Sequence, residues 1–176
     1  MDFLISPTED RCVPAALPDI RISSLSSQAD QVAFREINEE WISRLFTLTD
    51  EDRAILADPV GRVMTPGGDV LIARDADDAA VGCIALLSYG DGVFELAKMA
   101  VAPHAQGAGI GRRLIAAALR RAAELHGRRV FLGTNSRLEA ALHLYEETGF
   151  RRITRTELPV ADYYARADIL MEIAVA

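Results

Sequence analysis

Three glycines at alternate positions, Gly107, Gly109 and Gly111, lie between an apolar run ending at Val101 and a strongly helical stretch. Glycine adds nothing to a core and costs conformational entropy, so VAPHAQGAGIGRRLI asks for bare backbone. The chemistry such backbone performs is anion binding. The first N–H groups of a helix lack internal partners and carry partial positive charge, and missing Cβ atoms let a phosphate approach. Two side chains elsewhere suit proton transfer. In VFELAKMAV read as a strand, Val93, Glu95, Ala97, Met99 and Val101 share one face, and Phe94, Leu96, Lys98 and Ala100 the other. Glu95 is then a carboxylate on an otherwise apolar face, where desolvation raises its pKa toward the range of a general base. A structural glutamate bonded to a neighbouring strand or helix end is the competing reading. Tyr145 falls on the apolar stripe of its helix, where pattern alone makes it a core tyrosine.

The elements that must position these groups are read from periodicity. DIRISSL, from Asp19, alternates as a first strand. From Gln28 a helical stripe runs through Val32, Phe34, Ile37, Trp41, Ile42, Leu45 and Phe46. Asp50 is placed to cap a second short helix, DEDRAILADP, closed by Pro59, and GRVMTPGGD reads as a turn. DVLIARD, VGCIALLSY and VFELAKMAVA form three consecutive strands, hence an antiparallel meander. The period then changes. GRRLIAAALRRAAELHG is an amphipathic helix with Gly127 as its stop, RRVFLGT a short strand, and SRLEAALHLYEETG a second helix ended by Gly149. FRRIT and ADILMEIAV supply two late strands. The pattern predicts an α+β fold with a mixed sheet over residues 19–176, preceded by a loose leader at 1–18 dotted with Pro7, Pro14 and Pro18.

The chain has 176 residues, half of them hydrophobic, which suits one domain with a full core. No apolar run reaches the roughly 18 residues that would span a membrane, and the N-terminus lacks the basic region of a secretory signal. Cys12 and Cys83 lie far apart in no metal or redox spacing, and Cys83 reads as a buried thiol. A reducing, cytoplasmic setting is the expectation. His104, His126 and His143 are scattered, read as surface or loop residues, and suggest no metal. A net charge of −7 argues against nucleic acid as partner. Between Pro103 and Val130, however, six arginines meet one acid, Glu124. Such a basic island fits a small anionic ligand as well as it fits a solvated helix face.

Three glycine motifs compete for the loop. A dinucleotide fold needs G-x-G-x-x-G and a carboxylate roughly twenty residues on. Here the spacing is G-x-G-x-G, and FLGTNS carries no acid. A P-loop needs Lys and then Ser or Thr after its last glycine, where this chain has Arg112-Arg113. The third motif, Q-x-x-G-x-G, is met by Gln106, Gly109 and Gly111. In this motif ELAKMAVAPHAQGAGIGRRLI resembles the acyl-CoA binding segment of the GNAT superfamily of N-acetyltransferases, and TNSRLEAALHLYEETGF, from Thr134 to Phe150, resembles the segment that follows it. The resemblance is clearest over 69–150.

The resemblance implies a GNAT-type fold, a mostly antiparallel twisted sheet flanked by helices, and it implies roles. Loop amides of Gly107, Ala108, Gly109, Ile110, Gly111 and Arg112 would cradle the pyrophosphate of CoA, with Arg112 and Arg113 flanking it. The pantetheine arm would run along Met99, Ala100 and Val101, the Met99 amide facing the thioester oxygen. Asn135 matches a cofactor-touching position, Glu95 a general-base position, and Tyr145 the general acid toward the CoA sulfur. Trp41 and Phe46 would border the acceptor pocket, unless they are core. The implied activity is transfer of an acetyl group from acetyl-CoA to a primary amine of a small molecule or peptide, by direct attack in a ternary complex. Homodimers are common in the family. A catalytically silent acyl-CoA sensor is the alternative, and a nucleotide-dependent oxidoreductase a third.

Overall fold

The computed structural model describes residues 19–161, 163 and 167–175; the leader at 1–18 lies outside the described residues. A seven-stranded sheet has the order β1-β2-β3-β4-β5-β7-β6. Its strands are β1 (Arg21–Ser24), β2 (Asp69–Arg74), β3 (Ala80–Ser88), β4 (Val93–Val101), β5 (Arg129–Thr134), β6 (Arg151–Ile153) and β7 (Ile169–Ala174). Every pairing is antiparallel except β4 with β5. That parallel pair requires a crossover, supplied by α3 (Ile110–Glu124). α1 (Gln28–Leu45), α2 (Asp50–Ala57) and α4 (Glu139–Thr148) complete the helices.

Side chains alternate along the strands into two cores. Leu71, Ile84, Leu86, Phe94, Leu96, Val130 and Leu132 pack with Leu114 and Ile115 of α3 and with Leu142 and Tyr145 of α4. Val70, Ile72, Cys83 and Ala85 pack on the opposite face with Phe34, Ile42, Ile55 and Leu56 of α1 and α2.

The helices differ from the periodicity reading in instructive ways. The buried row of α1 is Asp30, Phe34, Asn38 and Ile42, whereas Leu45 is exposed. Asp30 is admitted because it closes the capping box with Ser27 and pairs with Arg74. α2 is capped by Thr49 and not by Asp50; the Thr49 hydroxyl accepts the Asp52 amide, and Asp52 reciprocates. Val60–Met64, expected as turn, makes a π-helical turn first. α3 ends in a Schellman arrangement: His126 takes the left-handed position at φ 59°, and Gly127 follows it, donating to the Ala122 carbonyl.

β4 departs from its expected alternation. Register with β3 passes from Cys83↔Ala100 to Ala85↔Ala97, so Lys98 and Met99 stand opposite one residue, and Lys98 adopts φ 51°. This bulge flips the faces beyond it. Met99 and Val101, expected beside Glu95, instead pack against the core that holds Phe94 and Leu96, while Ala100 joins the α1 and α2 side and Lys98 reaches Asp52 on α2.

Candidate active site

β4 and β5 are paired over Val93–Glu95 and Arg129–Phe131 alone, and then diverge. The divergence opens a cavity of about 840 Å³. Its walls are Glu95–Val101 of β4, Gly133–Asn135 at the end of β5, the glycine loop, α4 as far as Tyr145, and Asn38, Trp41 and Ile42 of α1. Gln106, Gly107, Gly109, Ile110 and Gly111 line it, as do Met99, Ala100, Asn135, Phe46, Glu95 and Tyr145; Ala108 and Arg112 do not.

The glycine loop is built for positive φ. Gly107 (81°) and Gly109 (74°) are left-handed, and a Cβ on either would meet nothing within 4 Å. Conformation, not internal crowding, selects glycine there. Gly109 is the N-cap of α3 and carries no side-chain cap. Among the described residues no backbone carbonyl accepts from the amides of Gly107 to Arg112; the first paired amide is that of Arg113, on the Gly109 carbonyl. A run of free amides at a helix start fits a phosphate group, which is the part of CoA the resemblance assigns here. Gln106 folds back onto the Val101 carbonyl (3.1 Å) and ties the loop to β4.

Five of the six arginines of the basic island are otherwise engaged. Arg113 donates to the Ile20 carbonyl, Arg121 to Asp69 (2.6 Å), Arg128 to the Asp91 carbonyl, and Arg129 pairs with Glu172. Arg112 pairs with Glu147 across the exposed surface. The expectation that Arg112 and Arg113 flank the phosphates is therefore corrected for Arg113, whose side chain secures the start of the sheet. Much of the island is structural.

Glu95 is 1% exposed. Its Oε1 accepts from the Tyr163 hydroxyl at 2.6 Å and its Oε2 from the Tyr89 hydroxyl at 2.8 Å. Burial holds its carboxyl above the ordinary carboxylate range, against the pull of both tyrosines and of the Lys98 ammonium, with Glu51 adding to the rise. Tyr145, 7% exposed, packs edge-on to Phe150, and burial raises its hydroxyl well above the ordinary phenol range. It stays protonated at neutral pH. Glu95 lies between Phe94 and Leu96, which face the α3 and α4 core, so it projects from the sheet face opposite to Tyr145. Both line the cavity where the sheet opens.

Trp41 and Phe46 form one wall, 6.3 Å between ring centroids, with the Arg137 guanidinium over Phe46 at 5.8 Å. Asn135 accepts from the Arg137 amide at 3.1 Å. Behind them Asn38 donates to the Phe34 carbonyl and to Cys83 Sγ, and burial pushes the Cys83 thiol up to about 12, an inert thiol as its apolar run suggests. Sequence reasoning assigned no role to four contributors. Lys98 and Asp52 form a buried ion pair (2.8 Å) under the cavity. Tyr89 and Tyr163 hold the carboxylate. A signal for Tyr163 exists: Gly133, whose Cβ would stand 2.2 Å from the Tyr163 ring, leaves room for it.

Among the described residues no helix is long and apolar enough to cross a membrane, and no three His, Cys, Asp or Glu residues are grouped to hold a metal ion. An N-acetyltransferase of Schizosaccharomyces pombe is 27% identical over 139 residues, covering 76% of this chain and 83% of that protein. A GNAT-family acetyltransferase from Staphylococcus aureus superposes with a TM-score of 0.81 at 20% identity, over 89% of this chain and 99% of that one. The Salmonella typhimurium protein yncA, solved with its cofactor acetyl-CoA, superposes at 0.69 and 19% identity, over 90% and 95%. The two solved structures share the open, mixed sheet. The profile of the acetyltransferase (GNAT) family matches residues 31–150, from α1 through the glycine loop to the end of α4, and the chain belongs to that family.

Proposed function

We propose that this protein transfers the acetyl group of acetyl-CoA to a primary amine, by direct attack with both substrates bound. The observation that carries the reading is the convergence of Glu95 and Tyr145, from opposite sheet faces, on the opening between β4 and β5. Acetyl-CoA supplies the activated thioester. The amides from Gly107 to Arg112 would hold its phosphates, and the side of β4 turned away from β3, at Met99 and Val101, would offer backbone groups to its extended arm. The Met99 amide would hold the thioester oxygen and stabilise the charge that develops on it. Glu95, made a stronger base by burial, draws the proton from the amine. Tyr145, protonated at neutral pH, delivers a proton to the leaving sulfur.

Trp41 and Phe46 flank the acceptor. A bound-acetyl-CoA relative with the same fold supports this choice of donor.

Thermal unfolding with acetyl-CoA, CoA, NADH and ATP tests the donor. At 100 times its dissociation constant a ligand stabilises the fold by about 2.7 kcal/mol, and the CoA compounds alone are expected to do so. Tyr145→Phe is expected to keep acetyl-CoA affinity and lose about a hundredfold in turnover with an amine panel. Unchanged turnover removes Tyr145 from the proton-donor role.

A further inference from the structure

Glu95 borders the cavity but is almost sealed from it, with a tyrosine hydroxyl on each oxygen. The two tyrosines are not equivalent. Both pack their rings on Phe131, the β5 residue in register with Glu95, at centroid distances of 5.5 Å for Tyr89 and 5.8 Å for Tyr163. Tyr163 lines the cavity, however, and Tyr89 does not. Tyr163 reaches in from the segment between β6 and β7, its carbonyl held by Arg155 (3.3 Å), across the notch left by Gly133. A 2.6 Å contact between a phenol and a carboxylate is a charge-assisted hydrogen bond, and it links a hydroxyl on the cavity wall to a base whose own surface is almost wholly covered.

Resting on the acetyl-transfer reading, we infer that Tyr163 is the catalytic group that meets the acceptor amine, relaying its proton to Glu95. As the C–N bond forms and the C–S bond breaks, the nitrogen proton passes to Tyr163 Oη while the Tyr163 proton passes to Glu95 Oε1. Tyr163 ends neutral and Glu95 ends protonated. Tyr145 gives its proton to the leaving thiolate, and Glu95 and Tyr145 then reset through solvent. Tyr89 stays a positioning residue, fixing the other carboxylate oxygen.

The test compares wild type, Tyr163→Phe and Tyr89→Phe with acetyl-CoA and four probe amines (spermidine, L-glutamate, L-lysine and propylamine), following thiol release against pH. The charged and titratable groups around Glu95 are Tyr89, Tyr163, Lys98 and Glu51, with Asp52 behind Lys98. Each substitution removes one hydrogen bond that favours the ionised carboxylate, so both are expected to move the acid limb of kcat/KM to higher pH. Only Tyr163→Phe is expected to lower the plateau by about a hundredfold or more, Tyr89→Phe losing no more than a few-fold. Equal plateaus overturn the relay and leave Tyr163 a second positioning residue. Should Tyr163→Phe not fold, a proton inventory on Tyr145→Phe, which removes the other proton in flight, decides in mixed H2O and D2O: a relay still moves two protons and gives a curved plot, and a straight line overturns it. Wild type that binds acetyl-CoA yet acetylates none of the amines overturns the acetyl-transfer reading itself, which the variant comparison alone does not.

Discussion

The Lys98–Asp52 pair joins the bulge of β4 to the first turn of α2, and removing one partner asks what that joint is worth. Lys98→Met keeps the length and apolar stem and deletes the ammonium. The side chains are 5% and 0% exposed, so this is a buried pair. Breaking such a pair costs about 3–5 kcal/mol, most of it the penalty of an uncompensated charge. Asp52 still has a donor, since its Oδ2 accepts the Thr49 amide at 2.9 Å, which places the expectation at the low end, about 3 kcal/mol. For a protein of this size each kcal/mol moves Tm by about 2–4 °C, so a fall of about 6–12 °C is expected. Urea unfolding is the assay, with an unchanged m-value as the check that only stability has moved. The double variant Lys98→Met with Asp52→Leu removes both charges. It should lie within about 1–2 kcal/mol of wild type, the residue being the lost capping box. A single variant costing under about 1 kcal/mol, or a double variant costing the sum of the two singles, refutes the argument that burial makes this pair interdependent.

Glu95→Gln is expected to lose about a hundredfold or more in turnover. Because the folded protein holds the Glu95 carboxyl above its unfolded value, it binds an extra proton between the two; wild type gains stability relative to Glu95→Gln as pH falls through that interval, and loses the gain as pH rises. Paired urea titrations at pH 4 and pH 8 read the difference, and the opposite slope contradicts the assignment. Gly109→Ala, at φ 74° with open space around the new methyl, should cost about 1 kcal/mol of backbone strain and weaken acetyl-CoA tenfold or more by obstructing the phosphate. Calorimetric titration showing the strain without weaker binding argues against the anion cradle.

The elements were legible wherever periodicity was strong. The meander of β2, β3 and β4, the crossover helix and the late strands stand where their apolar rhythm puts them. The glycine loop was legible because left-handed backbone has few sequence solutions. What escaped was set by tertiary contact. Lys98 carries no local sign of a left-handed conformation; the bulge is held there with an ammonium anchored on Asp52, forty-six residues earlier. Asp30 and Asn38 sit in the buried row of α1 because a capping box, Arg74, a carbonyl and a thiol satisfy them, none of which a hydrophobicity pattern registers. The arginine island looked like a ligand site because charge is visible in sequence and its partners are not. Tyr163 lay on a stretch without period, and its value comes from a space left by Gly133.

The divergence of β4 and β5 also governs what kind of molecule can join this sheet. A sheet invites further strands at its edges, and this one has four: two outside and two within. The outer ones discourage recruitment, β1 being four residues long and starting at Arg21, β6 only three with Arg151 and Arg152. The inner ones are walled by α1, α4 and the glycine loop, so no folded partner can slide a strand between them. Only something as slender as a single extended chain fits, and the protein thereby screens its visitors by thickness before any charge or hydrogen bond is consulted.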